Sequence, residues 1–252
     1  MLIKCEDFDG IVWVFNRTCA LLSEHWIKMF RAVWVFAALY LLIEIASYAL
    51  ILNEPIGISV YPLFFLTPLF SGVLWVFMAV RVHRLLLTPE NLDIMPFGPM
   101  SRAESYFRFT TRAVLFFLLS GILVYLPLLV SFFFLEYERV VVIIFQVVTT
   151  IFAIYGLWVL APLYLTLPSI AIRQVMNFHD VAGLSVKQRL LMFCVVIVIP
   201  FVSILFVSIL ESFWDTQDFY SLSIVTNAIY MMTMIIEVSL LSVAYAYIMR
   251  EE

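Results

Sequence analysis

The sequence predicts an all-α protein, a polytopic membrane bundle of six transmembrane helices with amphipathic helices leading into its hairpins on the cytoplasmic side. Three observations carry this. The 252 residues have a mean hydropathy of +1.08, with 65% hydrophobic and 13% charged residues, whereas a soluble domain is about half apolar and roughly a quarter charged. Six stretches approach the ~20 apolar residues a helix needs to cross a bilayer. The basic residues are sorted almost wholly to one side of those stretches. This composition excludes a water-soluble globule, a disordered chain and a disulfide scaffold.

From the N-terminus, MLIKCEDFDG carries three acids before any apolar run. A cleaved signal peptide begins basic, so Met1 is expected to belong to the mature chain. Residues 1–32 are expected to form an interfacial helix in the headgroup layer. A polar stripe runs through Asn16, Ala20, Ser23, Lys28 and Arg31, with Trp13, Phe15, Leu22 and Phe30 on other faces. The spans are expected at about 33–52, 58–80, 113–135, 140–161, 190–210 and 224–248, in a single integral membrane domain covering 1–252. Runs such as FAALYLLIEIASYALIL lack the alternation of barrel strands. Pro96, Gly98 and Pro99 break the second inner loop before Ser101-Arg-Ala-Glu104, a capping-box pattern, and Asn177-Phe-His-Asp180 is a looser version. Leu22-Ser23 before Phe30 echoes Leu184-Ser185 before Phe193. The echo reads either as a threefold hairpin repeat or as amphipathic entry helices that arise easily by composition, the second being favoured.

With both termini cytoplasmic, the inner segments hold 13 of the 14 Lys and Arg residues, and only Arg139 lies outside. The outer loops NEPIG, EYER and ESFWDTQDF carry Glu54, Glu136, Glu138, Glu211, Asp215 and Asp218. The basic residues set orientation. Cys5, Cys19 and Cys194 fall on the inner side or within a span, where reduced thiols are expected. Trp26, Trp34, Tyr61, Tyr137, Trp214 and Tyr220 are expected as interfacial anchors.

Two carboxylates lie near mid-span: Glu44 in the first and Glu237 in the sixth. A charged acid there costs about 2.5–3.5 kcal/mol on insertion scales. Tyr40, Glu44 and Ser47 share one helical face, and Asn227, Tyr230, Met234 and Glu237 share another. The acids either hydrogen-bond between helices as packing groups or form a proton or cation relay, and matched depth makes contact between the first and last spans an expectation. Pro68, Pro127 and Pro200 read as kinks, and Pro162 and Pro168 mark the inner end of the fourth span. Gln146, Thr149, Thr150, Ala153 and Gly156 give that span a small, weakly polar face suited to close packing.

At the cytoplasmic interface, Arg81, His83, Arg112, Arg173 and His179 are the residues a headgroup-acting site would need to gather. His25, His83 and His179 all fall at the boundary, not at facing depths, so paired haem ligation is not expected. His179 and Asp180 point about 100° apart on a helix and do not form a base and its orienter. The chain contains no HExxH, GxSxG, Walker loop or paired-cysteine metal spacing. No catalytic residue, metal or other cofactor is therefore expected. The basic residues are spread over several loops, which argues for attraction to anionic lipid headgroups and against nucleic acid.

The segments MAVRVHRLLLTPENLDIMPFGPMSRAESYFRF and LPSIAIRQVMNFHDVAGLSVKQRLLMF resemble six-helix inner-membrane proteins of alphaproteobacteria. More remotely, they are similar to the membrane domain attached to some bacterial glycerophosphodiester phosphodiesterases. The resemblance covers roughly residues 75–195 and implies a bacterial inner-membrane location and a helical bundle. The soluble catalytic barrel of those phosphodiesterases has no counterpart here, so the resemblance implies no hydrolase activity and no site residues. The expected role is a non-enzymatic component of a larger membrane assembly or a lipid-organising protein, with membrane lipids and other integral membrane subunits as partners. The alternative is a small transporter or cation-coupled channel using Glu44 and Glu237.

Overall fold

The computed structural model describes residues 9–53, 61–88, 103–133, 139–172, 174, 176, 178–212 and 219–251. Among these, nine α-helices follow one another: α1 (Asp9–Asn53), α2 (Tyr61–Leu87), α3 (Ala103–Phe133), α4 (Arg139–Leu160), α5 (Thr166–Ala171), α6 (Phe178–Ala182), α7 (Val186–Phe193), α8 (Ile199–Ser212) and α9 (Phe219–Glu251). A 3₁₀ segment, Ala161–Leu165, joins α4 to α5, and a π segment, Cys194–Val198, joins α7 to α8. Six of the resulting helical runs are long and apolar enough to cross a membrane. The chain is an all-α, multi-pass membrane protein.

The first span differs from the sequence expectation. No break separates an interfacial helix at 1–32 from a span at 33–52, because α1 is continuous for 45 residues. The reason is local: between Ile11 and Asn53 there is neither proline nor glycine to interrupt it. At 1.5 Å per residue it is about 68 Å long, more than twice the ~30 Å hydrocarbon thickness. The stripe of Asn16, Ala20, Ser23, Lys28 and Arg31 is exposed as expected, but the opposite face, with Val14, Met29 and Val33, is buried within the protein.

Other spans also extend past their expected ends. Helix α2 continues to Leu87, α3 starts at Ala103, and the fourth run continues past 161 to Ala171. The helical segments expected ahead of the first two hairpins are thus extensions of the spans themselves, whereas α6 ahead of the third stands apart, ended at Gly183. Ser101 and Asn177, the expected caps, lie outside the described residues. Glu104 instead pairs with Arg108 one turn on. A reciprocal capping box forms at Ser185 and Gln188, at 3.3 and 2.9 Å.

Two buried clusters make the core. The middle one joins Val33 and Phe36 of α1, Met78 and Val82 of α2, Phe109 and Phe116 of α3, Ile170 of α5, and Met234 and Ile235 of α9. The second lies towards the end carrying both termini and joins Val14, Leu165, Met192, Val195, Leu240, Ala244 and Ile248. All six residues of α5 are buried, so the end of the fourth run serves as an internal strut against α2, α3 and α9. By contrast, only 6% of the apolar window of α3 and 11% of that of α4 are buried, against 39% for α9.

The expected packing face on α4 is present in part, with Thr150 exposed. Ala153 is buried, and a Cβ placed on Gly156 would meet the Leu123 side chain of α3 at 2.8 Å. Thr149 donates to the Phe145 and Gln146 carbonyls of its own helix. Replacing Gly156 with leucine should push α4 off α3 and lower stability by about 1–3 kcal/mol. Adding Leu123→Ala should recover part of that loss, as read by denaturation in detergent.

Candidate functional site

Polar side chains on the buried faces fall into two groups at different depths. The first lies towards the end opposite the termini. There the Tyr40 hydroxyl donates to Asn227 Oδ1 at 3.0 Å, Ser71 Oγ donates to Glu44 Oε1 at 2.7 Å, and Ser47 and Thr67 share a 2.7 Å hydrogen bond. The expected face of Tyr40, Glu44 and Ser47 on α1 is the one that makes these bonds, to α9 and α2.

The two intramembrane acids do not sit at matched depth. Tyr40 and Asn227 touch, and α1 and α9 are antiparallel, with Trp13 against Tyr247 near the termini. Glu44 lies four residues beyond Tyr40, and Glu237 ten residues beyond Asn227 in the opposite direction. At 1.5 Å per residue they are about 21 Å apart along the bundle. Glu237 lies on α9, which packs on α8, whereas the Glu44 carboxylate is held by α2. Phe36, Met78, Met231, Met234 and Ile235, all buried, occupy the core between these levels.

The second group lies nearer the termini. His83 is 1% exposed, and its Nδ1 is 2.7 Å from Ser242 Oγ. Ser242 donates its single hydroxyl proton to the Val238 carbonyl at 2.8 Å. It therefore accepts from His83, which assigns the proton to Nδ1. The imidazole also contacts the Phe109 ring, with centroids 5.8 Å apart. Arg81 Nη1 donates to the Ala32 carbonyl of α1 at 2.8 Å, with its guanidinium over Phe36. Arg84 Nε donates to the Ala171 carbonyl at 2.8 Å, with its guanidinium over Tyr106. That carbonyl ends α5 and has no partner within its own helix, so Arg84 acts as a cap delivered from another helix.

The interface residues picked out from sequence are not gathered into one constellation. Arg81 turns to α1 and His83 to α9. Arg112 buries one guanidinium nitrogen on α3. His179 is exposed on α6, where its carbonyl accepts from Gly183. Arg173 lies outside the described residues. Among the described residues, no group of three or more His, Cys, Asp or Glu is placed to hold a metal ion.

Sequence reasoning missed Ser242, Ser71, Arg84 and the Tyr245–Gln174 hydrogen bond of 3.1 Å. The one available signal was the spacing of Ser239 and Ser242, three apart on α9. The chain matches no family model, no curated protein and no solved structure.

Ser239 and Ser242 provide an internal comparison. Both are fully buried and both donate to the carbonyl four residues back, but only Ser242 also accepts from His83. Ser242→Ala strands the imidazole N–H and should cost about 1–3 kcal/mol. Ser239→Ala should cost clearly less. Equal losses in a detergent unfolding titration would contradict the assigned tautomer.

Proposed function

We propose that this chain is a non-enzymatic protein of the bacterial inner membrane, with both termini in the cytoplasm, that serves as an accessory component packing against other integral membrane subunits. The observation that carries this reading is the asymmetry of burial. Helices α1, α2 and α9 hold the core, while α3 and α4 project Phe117, Phe132, Ile151, Phe152 and Tyr155 outward. Lipid covers that apolar flank where no subunit does. Orientation follows from the sorting of the basic residues, which accounts for 13 of 14.

The separation of Glu44 from Glu237 supports this reading over ion-coupled transport. A relay needs its groups within one hydrogen-bonded or water-filled path. Here Glu44 accepts from Ser71 on α2, and apolar side chains lie between its level and that of Glu237. Such an interhelical bond is worth about 0.6 kcal/mol on average, which suits a packing role for Glu44.

Reconstitution into liposomes tests the proposal. Wild-type protein, Glu44→Gln and Glu237→Gln should all give proton and cation flux equal to protein-free vesicles. Gentle purification should retain membrane subunits that Phe117→Asn/Phe152→Asn releases without loss of fold. Flux in the wild type that either glutamine variant abolishes would replace this reading with transport.

A further inference from the structure

Helix α2 carries a single stripe along its length, formed by Leu66, Phe70, Val73, Phe77, Arg81 and Arg84. Successive members are three or four residues apart, so all six share one helical face. The part far from the termini is apolar and open, with Leu66, Phe70 and Val73 exposed. Phe77 is half-buried, and the stripe ends on the half-buried side chains of Arg81 and Arg84. From Leu66 to Arg84 the helix rises about 27 Å, close to the ~30 Å thickness of the hydrocarbon layer. A stripe that enters the hydrocarbon at Leu66 therefore brings both guanidinium groups to the headgroup level at the end carrying the termini.

Both arginines are held in place. Arg81 bonds the Ala32 carbonyl of α1 and lies over the Phe36 ring, while Arg84 bonds the Ala171 carbonyl of α5 and lies over the Tyr106 ring. Phe36 stacks on Phe77, with the rings 3° from parallel and their centroids 5.3 Å apart, and Phe77 meets Tyr106 at 4.8 Å. Three rings, one each from α1, α2 and α3, thus make a continuous row with a guanidinium over each end. A basic side chain that only snorkels to water stays on a loose stem, whereas these two are fixed by carbonyls and ring faces, which carry no net charge themselves. The two positions are one turn apart on α2, with Cβ atoms about 5–6 Å from each other. Forked donors at that spacing can close on one phosphate.

We propose that this stripe is a binding site for one anionic phospholipid, whose phosphate is held by Arg81 and Arg84 and whose acyl chain lies along Val73, Phe70 and Leu66. The occupant has to present an anion at the foot of the stripe and hydrocarbon above it within one molecule. An anionic lipid of that leaflet does so, and an apolar subunit helix does not. The proposed orientation makes this the cytoplasmic leaflet. Binding in detergent depends neither on that orientation nor on whether α3 and α4 take a partner, so the site and the accessory role stand or fall separately.

Native mass spectrometry of the full-length protein in detergent, titrated with phosphatidylglycerol or with zwitterionic phosphatidylcholine of the same chains, reads the first bound lipid. Phosphatidylglycerol should bind about tenfold more tightly. Arg81→Gln/Arg84→Gln should remove most of that preference. Arg108→Gln, which deletes an exposed charge on α3 outside the stripe, should leave it unchanged. If the double variant does not accumulate, the wild type still tests the location: phosphatidylglycerol with a diazirine in its acyl chain should label the α2 peptide holding Phe70 and Val73 in preference to α8 and α9. Equal binding of the two lipids overturns the proposal, as does an Arg108→Gln loss as large as that of the double variant or label spread evenly over the helices. Displacement of the lipid by inorganic phosphate would assign the arginines to a free anion instead. Exclusion of label from α2 by a co-purifying subunit would assign the stripe to that subunit.

Discussion

The Tyr40 hydroxyl on Asn227 and the close approach of Gly10 to Tyr247 tie α1 to α9 over most of the length of both helices. That register decides which polar groups can meet. A Cβ at position 10 would meet the Tyr247 hydroxyl at 3.2 Å and its ring at 3.3 Å. Helix α2 then packs along α1, with Arg81 on the Ala32 carbonyl and Ser71 on Glu44. Within hydrocarbon no water is available to satisfy stray polar groups. Each of these bonds therefore stabilises one alignment of three long helices over neighbouring ones.

Most of the helical architecture could be read directly from the sequence. Long apolar runs without alternation specify membrane helices whatever surrounds them. The face of Tyr40, Glu44 and Ser47 follows from the 3.6-residue period alone. The continuity of α1 was harder to see, because an amphipathic stripe has the same pattern whether headgroups or another helix cover its apolar side. Depth was misread for a related reason. Placing Glu44 and Glu237 at one level assumes that all spans start from one plane, whereas the contacts of α1 with α9 set them about 21 Å apart. His83 and Ser242 are 159 positions apart, and no local pattern links a histidine to one particular serine at that distance. The prolines announced irregular backbone, but only packing shows that the 3₁₀ and π segments touch.

The bundle thus has an inner group of helices and an outer one. Helices α1, α2, α5 and α9 enclose the two polar levels and most buried side chains. Helices α3 and α4 close against each other through Gly156 and Leu123, and present apolar surface to whatever lies beside them. Small residues matter at that contact because, in lipid, close backbone approach and dispersion take over from the hydrophobic effect in holding helices together.

The uninterrupted length of α1 has a mechanical consequence. A rod of about 68 Å that crosses a much thinner slab must either lean or protrude. Without a soft joint it carries any sideways displacement of one tip through to the other. Whatever grips the segment around Trp13 and Arg17 would therefore be felt as a change of slant at Glu44, about 40 Å further along the same rod.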